Sequence, residues 1–288
     1  VDVLRERARD RASDRAFTFL TDGEIEGSEL TYGELDAKAR SIAVALSAHG
    51  LIPGERALLL YPPGLEFISA FFGCLYAGII AVPAYPPQPS QVARTLPRLL
   101  SILKDADVAI VLCDASVSRA GKGMSAQAPA LVNIPWLSTD RLGIADADDW
   151  TASRLPPDHL AFLQYTSGST ASPRGVMVSH ANLLHNLAYA RHQGGNGPGT
   201  VSVSWLPVIH DMGLIEGVLQ PIFAGYPAHL MAPASFLQRP ARWLRAITRY
   251  RATNSGAPNF AYDLCVRKVT DDQLQDLDLS SWRIAYNG

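Results

Sequence analysis

Apolar positions along the chain switch between a helical period and unbroken runs of strand length. Thr31-Tyr32-Gly33-Glu34 is a capping box: a threonine and a glutamate three residues later each satisfy a free amide at a helix start. Tyr32, Leu35, Ala39, Ile42 and Leu46 then recur at alternating steps of three and four, and Gly50 and Pro53 close the run, so a helix is predicted. Ala57-Leu58-Leu59-Leu60-Tyr61 follows as a continuous apolar run, the pattern of a strand covered on both faces. The alternation continues with a helix over 65–76, a stop at Gly78, a strand over 79–82, a helix near 92–105, a strand over 108–112 and another over Leu131 to Ile134. Residues 115–130 and 145–157 are small, polar and proline-bearing, and read as surface loops. Beyond residue 158, strands are predicted at 160–165, 176–178 and 201–206. Helices are predicted after the capping Ser179, over 214–223, and over Pro240 to Tyr250 with proline in the first turn. Trp282 to Gly288 reads as a strand feeding a functional loop. Such alternation implies an α/β fold of largely parallel sheets flanked by helices, in at least two parts, 1–157 and 158–288.

Composition narrows the function classes. With 25 basic against 27 acidic residues in 288 and a formal charge of −2, the chain has no global field to hold a polyphosphate backbone, so nucleic-acid binding by charge is not expected. Any anion site must be local. The length is enough to bury a large core without disulfides or metal staples. Cys74, Cys113 and Cys265 are odd in number and far apart, which fits neither a disulfide framework nor a Cys-x-x-Cys site and points to the cytosol. The first residues mix charges and lack an apolar stretch, so no secretory signal is expected. Phe67 to Ala93 carries no charge, yet its glycines and prolines divide it into a helix, a stop and a short strand. No transmembrane span is therefore expected.

The chemistry concentrates at 166–175. Thr166-Ser167-Gly168-Ser169-Thr170-Ala171-Ser172-Pro173-Arg174-Gly175 places hydroxyls, glycines and one cation between two strands. Glycines let successive amides turn inward as an anion nest, hydroxyls donate to phosphate oxygens, and arginine pairs with them as a charged donor. Gly-x-x-x-x-Gly-Lys-[Ser/Thr] is absent, so this is not a Walker A loop. By composition alone a flexible Ser/Gly hairpin explains the segment equally well. Elsewhere, His180 and His185 lie five residues apart, about 140° around a helix, which argues against a helical metal pair. No Gly-x-Ser-x-Gly elbow surrounds Ser167 or Ser169. His210, in a turn bounded by Pro207 and Gly213, serves either as a structural hydrogen bonder or as a site residue. Asp211 suits a metal ligand or a triad member, but no partners for either role are apparent.

Tyr165 to Val176 resembles the signature phosphate loop of adenylate-forming enzymes, the superfamily of acyl-CoA synthetases, luciferases and peptide-synthetase adenylation domains. Leu30-Thr31-Tyr32-Gly33-Glu34-Leu35 and Leu75-Tyr76-Ala77-Gly78-Ile79 agree. Trp205-Leu206-Pro207-Val208-Ile209-His210-Asp211-Met212-Gly213-Leu214 and Pro258 to Cys265 most resemble the fatty acyl-AMP ligases. The similarity runs from about residue 14 to the end. Arg174 stands where the superfamily usually has lysine, and Ala171 where glycine is common; arginine keeps the charge and adds bidentate phosphate binding.

The resemblance implies ATP-dependent conversion of a fatty acid to its acyl-adenylate with release of pyrophosphate. It further implies transfer of the acyl group to the phosphopantetheine arm of an acyl carrier protein or polyketide synthase. Thr166, Ser167, Gly168, Ser169, Thr170, Arg174 and Gly175 would hold the ATP phosphates, with Mg²⁺ touching Thr170. His210 would orient and stabilise charge, Asn287 and Gly288 would begin the adenine pocket, and Met212, Gly213, Leu214, Asn259, Phe260 and Tyr262 would line the acyl pocket. On this resemblance 1–157 is the first α/β part of the adenylation domain and 158–288 its phosphate-loop and acyl-pocket part. The family's lysine-bearing C-terminal domain is not in the sequence, so an N-terminal portion with little or no turnover alone is expected. A fatty acyl-CoA ligase and a non-catalytic nucleotide- or acyl-binding module are the alternatives.

Overall fold

A computed structural model describes residues 1–87, 92–123, 129–166 and 173–288. In chain order its elements are α1 (Asp2–Asp10), β1 (Arg15–Leu20), β2 (Glu26–Thr31), α2 (Tyr32–Ala48), β3 (Arg56–Leu60), α3 (Glu66–Ala77), β4 (Ile80–Ala84), α4 (Val92–Asp105) and β5 (Ile110–Cys113). Next come α5 (Ala115–Gly123), α6 (Pro129–Val132), β6 (Trp136–Ser138), β7 (Leu160–Tyr165), β8 (Gly175–Ser179), α7 (His180–Gly194), β9 (Ser202–Ser204), α8 (Asp211–Leu214) and α9 (Gln220–Ala224). The rest are β10 (Ala228–Met231), α10 (Pro233–Gln238), α11 (Ala241–Tyr250), β11 (Asn254–Ala257), α12 (Asn259–Lys268), α13 (Asp271–Leu274) and β12 (Ile284–Asn287).

The described residues form two compact units. One comprises Asp2–Glu34, Pro63–Leu65 and Asn186–Gly288 and holds a six-stranded sheet in the order β12-β11-β9-β10-β1-β2. The other comprises Leu35–Pro62 and Glu66–His185 and holds a six-stranded sheet in the order β6-β5-β3-β4-β7-β8. Neighbours are parallel throughout except β1–β2 and β7–β8. The expected α/β fold of parallel-dominated sheets is therefore what forms.

Local chemistry explains many element boundaries. The Thr31 amide donates to Glu34 Oε2 at 2.9 Å and the Glu34 amide to Thr31 Oγ1 at 3.2 Å, the capping box that starts α2. Ser179 and Asn182 form the equivalent reciprocal pair at the start of α7, at 3.0 and 3.1 Å. Gly78 adopts φ +71°, a left-handed turn that lets the chain leave α3 and enter β4 at once. In the second sheet, Leu58, Leu60, Val82, Leu99, Ile102 and Val111 form one core. Leu20, Val203, Trp205, Phe236, Trp243 and Ile247 form that of the first.

Two expectations need correction. Residues 115–130 are not all loop: Asp114 accepts the Val117 amide at 2.7 Å and so caps the helix α5. Leu131 to Ile134 is not a strand. Leu131 turns into the core from α6, and Val111 donates to the Pro135 carbonyl at 2.9 Å, which starts the parallel pairing at Trp136 instead. The helix α3, which begins at Glu66 just before the uncharged segment, ends at Ala77, and β4 begins at Ile80. No helix among the described residues is long and apolar enough to cross a membrane.

Candidate active site

In the first sheet β1, β9, β10, β11 and β12 run parallel, so their carboxyl ends emerge along one edge, where open α/β sheets hold their ligands. The chain after β9 carries Trp205 to Leu214, the chain after β11 carries Asn259 to Tyr262, and β12 ends at Asn287. The topology thus gathers His210, Met212, Asn259, Phe260, Tyr262, Asn287 and Gly288 from separate stretches of sequence. Asn287 Nδ2 donates to Asn259 Oδ1 at 2.6 Å, and the Tyr262 hydroxyl donates to the Tyr286 carbonyl at 2.7 Å. A Cβ placed on Gly288 would lie 2.8 Å from Met212 Cε. Residues expected in the adenine and acyl pockets are therefore direct neighbours.

An aromatic base lies beneath this edge. Trp205 stacks on Phe236 with ring centroids 4.0 Å apart and meets Phe260 edge-on at 6.1 Å. Phe260 is half exposed while Leu214 is fully enclosed, so of these two expected acyl-pocket residues only Phe260 has a free face and Leu214 belongs to the core. Gly213 permits the close approach of α8: a Cβ there would stand 2.1 Å from the Pro207 carbonyl oxygen, a clash with backbone that no side chain relieves.

His210 and Asp211 are both largely exposed, with Nδ1 2.5 Å from Asp211 Oδ1. His210 is anchored by its backbone, its amide donating to Pro207 O at 3.0 Å and its carbonyl accepting from Leu214 at 2.8 Å. An imidazole whose Nδ1 is held by a carboxylate offers Nε2 to a second group. A π-helical turn, Ile215–Leu219, follows α8; such turns recur at functional sites. It carries Glu216, whose carboxyl is pushed above its ordinary range by burial.

In the second sheet, β7 and β8 form the neck of the segment expected to bind phosphate. The Thr166 amide donates to the Arg174 carbonyl at 3.4 Å, and Gly175 pairs with Tyr165 in register. A Cβ on Gly175 would sit 3.0 Å from the Tyr165 ring, so glycine lets the neck close. The Tyr165 hydroxyl donates to Asp105 Oδ2 at 2.5 Å. Burial first, and this carboxylate second, push the phenol pKa up. Arg98 Nη2 donates to the Thr166 carbonyl at 3.1 Å, while Arg174 is exposed. Ser167, Gly168, Ser169 and Thr170 lie outside the described residues.

Arg98, Asp105 and Glu216 belong to no motif. The one available signal was a lone acid in the apolar stretch 214–219; the contacts of α4 with the hairpin depend on tertiary packing. Among the described residues no group of three or more His, Cys, Asp or Glu side chains is placed to hold a metal, and His180 stacks on His159 at 6.2 Å. All three cysteines are free thiols, with burial pushing Cys113 and Cys265 each up to about 11.

A family model described as AMP-binding enzyme matches residues 4–288. The chain belongs to this family. Among AMP-binding relatives, it is 46% identical over 289 residues to the medium-chain-fatty-acid–[acyl-carrier-protein] ligase JamA of Moorena producens, covering 100% of this chain and 49% of that one. It is 39% identical over 291 residues to the long-chain-fatty-acid–AMP ligase FadD26 of Mycobacterium marinum, covering 96% of this chain and 48% of that one. A solved fatty acyl-adenylate ligase from L. pneumophila, in complex with acyl adenylate and pyrophosphate, superposes with TM-score 0.91 at 44% identity, over 100% of this chain and 49% of that one. The chain spans about half the length of the curated relatives it matches.

Proposed function

We propose that this chain is the ATP- and fatty-acid-binding part of a fatty acyl-AMP ligase, which joins a fatty acid to AMP, releases pyrophosphate and passes the acyl group to an acyl carrier protein. The match over residues 4–288 to AMP-binding enzymes carries this reading. The likeness to a neighbour solved with acyl adenylate and pyrophosphate supports it.

In the reaction a carboxylate oxygen of the fatty acid attacks the α-phosphorus of ATP in line. The new carboxylate–phosphorus bond forms as the bond to the β-phosphate breaks and pyrophosphate leaves with its electron pair. A carboxylate is already ionised at neutral pH and needs no general base, so the protein's work is positioning and charge stabilisation. Thr166, Arg174 and Gly175, with Ser167, Gly168, Ser169 and Thr170, would hold the β- and γ-phosphates. Asn287 and Gly288 would meet the adenine, Met212, Phe260 and Tyr262 the acyl chain, and His210 would donate from Nε2 to oxygen at the reacting centre. Mg²⁺ on a triphosphate takes most of its ligands from phosphate and water; Thr170 would add one, and the ion would neutralise phosphate charge. The acceptor thiol is that of a phosphopantetheine arm, on a free carrier protein or within a polyketide synthase.

The test uses the full-length protein with ATP, Mg²⁺ and labelled fatty acids of graded length, with and without CoA, followed by chromatography of the products. Acyl-AMP that persists in the presence of CoA is expected. Acyl-CoA would replace the carrier protein by CoA as acceptor, and absence of both products would overturn the reading.

A further inference from the structure

We propose that Arg98 is a second phosphate-binding cation, gripping the triphosphate of ATP together with Arg174. This rests on the phosphate-loop reading of 166–175. The two arginines come from different elements and meet on one rung of the β7–β8 hairpin: Arg98 donates to the Thr166 carbonyl at 3.1 Å, and the Thr166 amide donates to the Arg174 carbonyl at 3.4 Å. Both side chains are exposed, and among the described residues neither is bonded to a carboxylate. Asp105, the acid of α4, is taken by the Tyr165 hydroxyl.

A guanidinium has five N–H donors in a planar fork. The bond to Thr166 uses one nitrogen of Arg98 and leaves donors for an oxyanion, in the bidentate manner by which arginine binds phosphate. The frame is firm, because Leu96, Leu99, Ile102 and Leu103 bury the other face of α4. The bond to Thr166 holds the Arg98 guanidinium at the rung whose other residue is Arg174, and a polyphosphate carries charge enough for both.

The experiment uses the full-length protein and measures acyl-adenylate formation with ATP and fatty acid varied separately, in Arg98→Ala, Arg98→Gln, Arg98→Lys and Arg174→Ala. The alanine and glutamine variants of Arg98 are expected to raise KM for ATP roughly tenfold and to leave KM for fatty acid within about twofold, the scale of one lost charge-assisted bond. Product inhibition by pyrophosphate should weaken in parallel, and Arg98→Lys should recover part of the loss. Glutamine keeps a donor for the Thr166 carbonyl, so wild-type kinetics in Arg98→Gln would reduce Arg98 to a structural tie and overturn the proposal. A rise confined to KM for fatty acid would also overturn it, since the anion would then be the carboxylate. If Arg174→Ala raises KM for ATP and neither Arg98→Ala nor Arg98→Gln does, Arg98 alone is misassigned. If none of the three does, the phosphate-loop reading fails as well.

Discussion

Each sheet ends on one antiparallel pair, and the two pairs use arginine in opposite ways. At β1–β2, Glu24 faces Arg239, Arg242 and Arg245 at 4.0, 3.8 and 3.1 Å, while Glu26 accepts from Arg249 at 3.4 Å and from the Tyr250 hydroxyl at 2.8 Å. The charges of α11 are spent on pinning the hairpin to its own sheet. At β7–β8 the arginines bond to backbone carbonyl or face solvent, and the one nearby acid of α4 is bonded to a tyrosine. The same strand geometry serves cohesion where cations meet carboxylates, and on the proposed reading holds an anion where they do not.

The largest expected effect that separates the two regions is acid sensitivity. His229 in β10, which pairs with β1, is buried and stacks on Tyr250 at 3.6 Å. Burial first, then Arg15 and Arg249, against an opposing pull from Glu26, push its pKa from 6.5 down to about 4. The unfolded chain binds a proton below pH 6.5 and the folded one resists it, so this contribution is complete above pH 6.5 and is lost between pH 6.5 and 4. The loss is worth roughly 3 kcal/mol. Urea unfolding across that range should show the slope, and His229→Phe, which keeps the stacking, should flatten it; an unchanged slope would remove His229 from the account.

Next in size is Arg174→Ala in the full-length protein, expected to raise KM for ATP roughly tenfold and to leave that for fatty acid unchanged. Equal losses for both substrates would break the contrast between the hairpins. Glu24→Gln should do the reverse, costing about 1 kcal/mol of stability, modest because the network is partly exposed and screened, while ATP kinetics stay at the wild-type level. Calorimetric unfolding and steady-state assays of the same preparation read both quantities. The smallest effect is expected from Tyr165→Phe, which removes the bond to Asp105 at a cost of about 0.5–1 kcal/mol and leaves the acid slope of His229 untouched.

Legibility followed where the stabilising partners lie. The helix α2 was readable because the Thr31–Glu34 box, the apolar stripe and Gly50 are all local, and β3 because an unbroken apolar run suits two covered faces. The strand β11, Asn254–Ala257, was not. Its residues are small or polar, yet buried, because Ser255 donates to the Val203 carbonyl at 2.5 Å and accepts from the Trp243 indole at 2.8 Å, partners far away in sequence. The strand β2 was equally hidden: Glu26–Thr31 is mostly polar and half of it is exposed, and it pairs because β1 offers it a ladder. The candidate site divides the same way. His210, Arg174, Asn259 and Asn287 stand in blocks with family resemblance, whereas Arg98 needed the fold to set α4 beside the end of β7.

The alternating periods, capping residues and glycine stops of this sequence determined the α/β class and most helix positions, since those signals act over a few residues and need no partner. Its motif blocks determined the family. Tertiary structure alone decided that 15–31 joins the strands of 202–287 in one sheet, that Asn259 meets Asn287, and which arginines meet a carboxylate. Hydrogen-bond ladders and ion pairs are satisfied in space, and along the chain nothing records which distant group will supply the other half.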